Sequence, residues 1–298
     1  MTLVLAGALA WWGVYGIETY GMGLFVLTPV LIGLCPTVVY GYGRPISLTE
    51  ANRIAFTTLG VFLLGLFGFA LEGMICIAMA APIVLLFTFV GAWLGKAILD
   101  RMPRQSLLSI LVLSVAIPSL AVSEGGEPRV APVVSRVIID AAPEAVWAQV
   151  IAFPRLAEPD EFLFRAGISY PIEATIDGKG VGAVRHCTFN TGSFVEPITV
   201  WDPPHRLAFD VEQQPAPLRE ISFWDIDAPH LHDTFVSKRG QFRLTVLPDG
   251  RTELEGTTWY YHDIRPDFYW RWWSDYIIHR IHGRVLAHIK AEVERGPR

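Results

Sequence analysis

Val134-Ser135-Arg136-Val137-Ile138-Ile139-Asp140, followed directly by Ala141-Ala142-Pro143-Glu144-Ala145-Val146-Trp147, decides how the C-terminal half of this chain folds. The first seven residues are rich in β-branched side chains, which suit a pleated backbone. Proline fits the first turn of a helix, where its missing N–H costs nothing. The stretch therefore predicts a strand running straight into a short helix that carries Val146, Trp147 and Val150.

Downstream the pattern is that of an antiparallel meander. Strands are expected over 173–177, 182–190 and 194–201, separated by Asp177-Gly178-Lys179-Gly180 and Asn190-Thr191-Gly192 and closed by Asp202-Pro203-Pro204. Further strands fit 206–212, 240–247 and 251–261, the last two joined by Pro248-Asp249-Gly250. Leu207, Phe209 and Val211 alternate with Ala208 and Asp210, as do Phe242, Leu244 and Val246 with Arg243 and Thr245, so one sheet face is apolar and the other wet. After Pro266, Trp270, Trp273, Ile277, Ile281, Val285 and Ile289 recur at spacings of three and four, the stripe of a long amphipathic helix.

The order strand, short helix, meander, long helix resembles the START/Bet v 1-like superfamily, also called SRPBCC, over about 133–294. Its most telling residues are Val137 to Trp147 and the turn Trp201-Asp202-Pro203-Pro204-His205-Arg206-Leu207-Ala208-Phe209. The resemblance implies an α+β helix-grip domain, a curved antiparallel sheet around a long C-terminal helix with a hydrophobic cavity between them. It implies a ligand class, a lipid, polyketide-like or other hydrophobic small molecule, and no particular reaction.

On that architecture the cavity is lined by the apolar strand faces and the underside of the last helix. Candidate lining residues are His186, Thr188, Phe194, Glu196, Phe209, Leu254, Tyr260, His262, Trp273 and His279. Glu196 shares strand parity with Phe194, Ile198 and Val200, and Tyr260 and His262 share it with Leu254; a polar group on such a face is costly unless partnered. The alternative for Glu196 and His186 is an open strand end in contact with water. Asp275, His279 and His282 fall at i, i+4 and i+7 on one helical face, which suits a proton relay or a metal ligand set but equally a solvated surface. His230-Leu231-His232-Asp233 reads as a solvated loop. Phe268, Tyr269, Trp270, Trp272 and Trp273 are read first as core, with the remainder free to meet ligand, the N-terminal half or lipid headgroups.

The N-terminal half has a different composition. Up to residue 127 the only Lys and Arg are Arg44, Arg53, Lys96, Arg101 and Arg104. About 20 apolar residues span a hydrocarbon core of roughly 30 Å, a standard that 22–40, 54–71 and 74–94 meet; 3–17 and 107–122 are shorter. Five spans are expected in 1–122, then a linker over 123–132 containing Ser123-Glu124-Gly125-Gly126-Glu127-Pro128. Glu18 and Glu72 fall at span ends, which favours an anchor over a transporter. Arg44 and Arg53 mark one loop and Lys96, Arg101 and Arg104 another, both expected to face the cytoplasm. With 107–122 crossing, the C-terminal domain emerges on the non-cytoplasmic side of an inner or plasma membrane; with 107–122 lying in the interface, it stays cytosolic.

The mean hydropathy of +0.37 with 18% charged residues averages these two populations. A formal net charge of −5 offers no basic face for nucleic acid. Cys35, Cys76 and Cys187 are odd in number and far apart, giving neither a disulfide framework nor a zinc pattern, and no metal or cofactor is expected. No phosphate loop, G-x-S-x-G or His-Glu-x-x-His is present. The reading is a membrane-anchored module that binds a lipid or other hydrophobic small molecule. The alternatives are a cyclase- or aromatase-like enzyme using His186, Glu196, Tyr260 or His279 as general acid or base, and a docking or structural role with a protein partner not specified by the sequence.

Overall fold

The computed structural model describes residues 7, 20–101, 129–221, 223, 231 and 234–296. The expected spans 3–17 and 107–122, Glu18, Arg104, residues 123–128 of the linker and the histidines of the 230–233 loop lie outside the described residues. The chain divides into two compact units, one of Met1–Glu127, Glu220–His230 and Asp263–Trp270, the other of Pro128–Arg219, Leu231–His262 and Arg271–Arg298. Segments 220–230 and 263–270, which the sequence assigns to the C-terminal domain, thus group with the N-terminal helices.

In the first unit a π-helical turn, Gly23–Leu27, leads into α1 (Thr28–Gly41), followed by α2 (Leu48–Gly68) and α3 (Met74–Arg101). Among the described residues three helices, Gly23–Gly41, Leu48–Gly68 and Met74–Arg101, are long and apolar enough to cross a membrane. Two of them are longer than the expected spans. Ser47 and Glu50 form a reciprocal capping box, with Glu50 N donating to Ser47 Oγ at 3.2 Å and Ser47 N to Glu50 Oε2 at 2.8 Å, so α2 begins at Leu48 and takes in Arg53. Helix α3 runs on to Arg101 and takes in Lys96, which pairs with Asp100 at 2.6 Å. Arg53 and Lys96 are therefore helical residues rather than the loop residues expected.

Helices α1 and α3 approach backbone to backbone. A Cβ on Gly33 would collide with the Thr88 carbonyl oxygen, and one on Gly91 with the Val30 carbonyl oxygen. Small residues at such a crossing replace the hydrophobic driving force that lipid cannot supply. The outer faces stay apolar: Val61, Leu64, Leu85, Leu86, Phe89 and Trp93 are exposed, a patch suited to hydrocarbon rather than water.

The second unit is a seven-stranded antiparallel sheet in the order β1-β7-β6-β5-β4-β3-β2. Its strands are β1 (Ala131–Ile139), β2 (Pro171–Asp177), β3 (Val184–Phe189), β4 (Gly192–Asp202), β5 (Arg206–Asp210), β6 (Phe235–Val246) and β7 (Thr252–His262). Between β1 and β2 come α4 (Pro143–Ile151) and a single turn, α5 (Phe162–Arg165); α6 (Asp267–Arg295) follows β7. Register shifts at Pro171/Glu173, Ile198/Val200 and Ser237/Arg239 add the local bending that curves a sheet. The curved half-barrel with its long C-terminal helix is the helix-grip architecture expected from the sequence. Its core joins Ile139, the α4 residues Val146, Trp147 and Val150, the strand residues Ile198, Leu207, Phe209, Phe242 and Leu254, and Val285, Leu286 and Ile289 of α6.

Gly91→Ala is expected to force α1 and α3 apart, costing about 1–3 kcal/mol as overpacking does and lowering the thermal unfolding midpoint of the detergent-solubilised chain. Gly60→Ala, where a Cβ meets nothing within 4 Å, should leave the midpoint in place. Equal midpoints for both variants would contradict the close crossing.

Candidate functional site

Strands β3 and β4 form a hairpin around Asn190-Thr191, with Phe189 opposite Gly192 and Arg185 opposite Glu196. Residues directly opposite share a face, and burial follows: Arg185, Cys187 and Phe189 of β3 and Glu196 and Ile198 of β4 are buried. Arg185 is only 2% exposed. Its Nη1 donates to the Glu196 carboxylate, and its Nε donates to the Ile151 carbonyl oxygen at 3.3 Å, at the end of α4. The rings of Phe209, Phe153 and Phe242 surround the guanidinium, with centroids 5.3, 5.5 and 5.7 Å from Cζ, within reach of a cation–π attraction.

The electrostatics follow from burial. Desolvation pushes the Glu196 carboxyl up and the Arg185 guanidinium pulls it back. The Cys187 thiol, equally buried, is pushed up to about 12 by desolvation in spite of Arg185, so it is a neutral thiol and no nucleophile at neutral pH. The arrangement presents a fixed cation and a carboxyl inside an aromatic wall, able to orient a polar group on an otherwise apolar ligand or to exchange a proton with it.

The other expected site residues fall in several separate places. Glu196, Phe209 and Leu254 lie in the core around the ion pair, and Phe194 packs against that core, its ring 4.9 Å from Phe189. His186 and Thr188 occupy the opposite face of β3: His186 lies 3.5 Å from the exposed Asp177, and Thr188 accepts from Ser193 Oγ at 3.2 Å. The parity expected for β3 is off by one residue, because the hairpin loop sets Arg185, not His186, against Glu196. Tyr260 is fully buried in a separate cluster with Val133 and Ile278, and the buried His262 ring lies 6.3 Å from it. Trp273 is half-buried beside Trp272.

A further place is the polar face of α6. Tyr260 Oη donates to Asp275 Oδ1 at 2.6 Å; Ser135 Oγ lies 2.8 Å from His279 Nδ1 and 3.1 Å from His282 Nδ1; Thr258 Oγ1 lies 2.8 Å from His282 Nε2. Asp275 and His282 therefore seat α6 on β1 and β7, while His279, exposed, reaches in to Ser135. Among the described residues no group of three His, Cys, Asp or Glu side chains could hold a metal ion.

Arg185 is the residue that sequence reasoning missed. Its signal lay in the hairpin: counting back from the two-residue Asn190-Thr191 loop pairs Glu196 with position 185.

No protein-family model matches the sequence, and the comparison with curated proteins gives no match. Among solved structures, the Zhui aromatase/cyclase from Streptomyces sp. R1128 is 15% identical over 56% of this chain and 95% of that one, with a TM-score of 0.36. A norcoclaurine synthase point mutant from Thalictrum flavum is 13% identical over 57% and 98%, with a TM-score of 0.37. The di-domain ARO/CYC BexL from the BE-7585A biosynthetic pathway is 13% identical over 69% and 61%, with a TM-score of 0.37.

Desolvation, with His279 nearby, holds the His282 imidazole down at about 4, against an ordinary 6.5. A ring kept neutral in the folded chain but free to protonate once unfolded favours unfolding in acid. Its contribution is intact above about pH 6.5 and is lost as pH falls towards 4, by up to about 3 kcal/mol. Thermal melts from pH 7.5 to 4 should show a shallower acid decline in His282→Gln than in the parent; parallel curves would contradict this assignment.

Proposed function

We propose that the chain is a membrane-anchored protein whose helix-grip unit holds a hydrophobic small molecule, a lipid or polyketide-like compound, with Arg185 and Glu196 as its polar contact. The observation that carries this reading is the charged pair itself. Burying two charges generally costs about as much as their attraction returns, and apolar residues of similar volume would hold the fold as well or better. A charged pair among aromatic rings on the concave sheet face is therefore better explained by what it recognises than by what it stabilises. A second reading, an enzyme of the cyclase type, draws on the same residues, with Glu196, whose carboxyl burial raises above its ordinary value against the pull of Arg185, as general acid or base.

The helices supply the anchor. Consecutive helices joined by the short turns 42–47 and 69–73 alternate in direction, so Arg44, Arg53, Lys96 and Arg101 gather at one end. Excess basic charge marks the cytoplasmic end, which supports a non-cytoplasmic position for the 69–73 turn. In the same unit the Glu220 carboxylate accepts from Ile75 N at 3.0 Å and Cys76 N at 3.3 Å, capping α3 at that turn. Arg265 N donates to the Tyr20 carbonyl oxygen at 2.7 Å, and Trp270 packs 4.8 Å from Phe25 at the start of the first span. These contacts support the emergence of the C-terminal chain on the non-cytoplasmic side. A reporter active only outside the cytoplasm and fused after Arg298 should give signal; silence with an active cytosolic reporter would reverse the orientation.

Native mass spectrometry of the full chain in detergent tests the ligand. The parent should carry a small molecule of defined mass that is absent from the Arg185→Met/Glu196→Leu double variant; masses common to both report lipid on the helices. A parent without any such difference, after incubation with membrane extract, would overturn the binding reading. Glu196→Gln should retain the bound mass, and loss of turnover on the identified compound would then favour the enzyme.

A further inference from the structure

The chain leaving α4 grips two polar side chains in succession. The Ile151 carbonyl oxygen accepts from Arg185 Nε at 3.3 Å, and the Pro154 carbonyl oxygen accepts from the His288 ring. Phe153 stands between them, its ring centroid 5.5 Å from Arg185 Cζ and 6.0 Å from that of His288. Backbone bonds of 3.0 and 3.1 Å between Phe153 and Ala174 tie this segment to β2. On α6, His288 follows Val285 and Leu286 and precedes Ile289, so it borders the stripe that packs into the core. All of these residues belong to the sheet unit.

The two ring nitrogens of His288 differ. Nε2 is sealed from solvent and has no hydrogen-bond partner among the described residues, so the nitrogen that donates to Pro154 is Nδ1. Burial holds the imidazole below its ordinary pKa, and a neutral ring with its proton on Nδ1 leaves a lone pair on Nε2. A buried acceptor to which nothing donates is costly, a cost removed when a donor arrives. Arg185 offers the complementary half. Glu196, Ile151 and Cys187 share its five N–H donors, which leaves capacity for one more acceptor. That acceptor is neutral, because a carboxylate would bring a second negative charge beside Glu196 into an apolar core.

We propose that His288 Nε2 is a second polar contact of the Arg185–Glu196 site, and that the molecule held there is an apolar hydroxy-carbonyl compound. Its carbonyl oxygen accepts from Arg185 and its hydroxyl donates to His288, with the Phe153 ring between the two ends. The inference rests on the reading of this site as a ligand site and narrows it to a compound with two polar groups. It also separates two roles: Arg185 holds the carbonyl, and His288 selects for the hydroxyl, since an analogue without that group leaves Nε2 buried and unpaired.

The test compares 6-hydroxy-2-acetonaphthone, a rigid apolar ketone with a hydroxyl at its far end, with 2-acetonaphthone, which lacks the hydroxyl, by calorimetric titration of the full chain in detergent. His288→Asn removes Nε2 while keeping an N–H for the Pro154 carbonyl, and His288→Phe keeps a ring against Phe153. Relative to the parent, both variants should weaken the hydroxy compound about tenfold, as loss of one hydrogen bond to a buried acceptor does, and leave 2-acetonaphthone within about twofold. Equal weakening of the two compounds would make His288 a structural residue, and no weakening of either would leave Nε2 to a water; each result overturns the proposal. A parent that binds neither compound overturns it too. If that parent still carries the small molecule sought by native mass spectrometry, the binding reading stands without His288; if it carries none, both fall.

Discussion

The buried ion pair between Arg185 and Glu196 constrains the sheet unit more than any other interaction. Two charges enclosed by Phe153, Phe209 and Phe242 tolerate little error, since a partner displaced by one residue would leave an uncompensated charge in an apolar core. The β3–β4 hairpin must therefore keep its register, a one-residue slip of which would turn every side chain to the other face. The end of α4 must present the Ile151 carbonyl to Nε. The strand-to-helix stretch that opens the domain thereby contributes to the site as well as to the fold. Trp147 of α4 also packs edge-on against Trp201 of β4, 5.7 Å away, so the two segments that carry the family resemblance touch each other.

How much of this was legible depended on the kind of signal. The β-branched run before Pro143, the Gly-containing turns and the three-four stripe after Pro266 are local, and the corresponding strands and helices formed where those signals lie. The opposition of Arg185 to Glu196 is non-local, and it escaped because strand parity was judged within each strand; the short Asn190-Thr191 loop held the missing register. The expectation for Asp275, His279 and His282 left relay, metal and solvent readings open. The structure has them bonded to hydroxyls of Ser135, Thr258 and Tyr260, partners on strands that helical spacing alone does not reveal. The start of α2 was legible in Ser47-Leu48-Thr49-Glu50, whose capping box extends the helix beyond its apolar run.

One chain thus combines two ways of burying polar backbone and apolar side chain. In the helical unit, satisfied backbone within helices lets the outer faces remain apolar, and Gly33 and Gly91 supply close packing where a hydrophobic driving force is lacking. In the sheet unit, the apolar face is covered by α4 and α6, and the buried charges among the described residues, Arg185, Glu196 and Glu255, are paired. The contrast explains why average composition describes neither part well.

The central claim is that the Arg185–Glu196 pair is retained for recognition rather than for stability. Unfolding midpoints of Arg185→Met, Glu196→Leu and the double variant, followed by sheet-unit tryptophan fluorescence in the detergent-solubilised chain, test it most directly. The account predicts that each single variant, leaving one charge buried alone, loses about 3–5 kcal/mol, while the double variant returns to the parent's stability or exceeds it. A double variant as unstable as either single one would show that the fold itself requires the pair and would contradict the account.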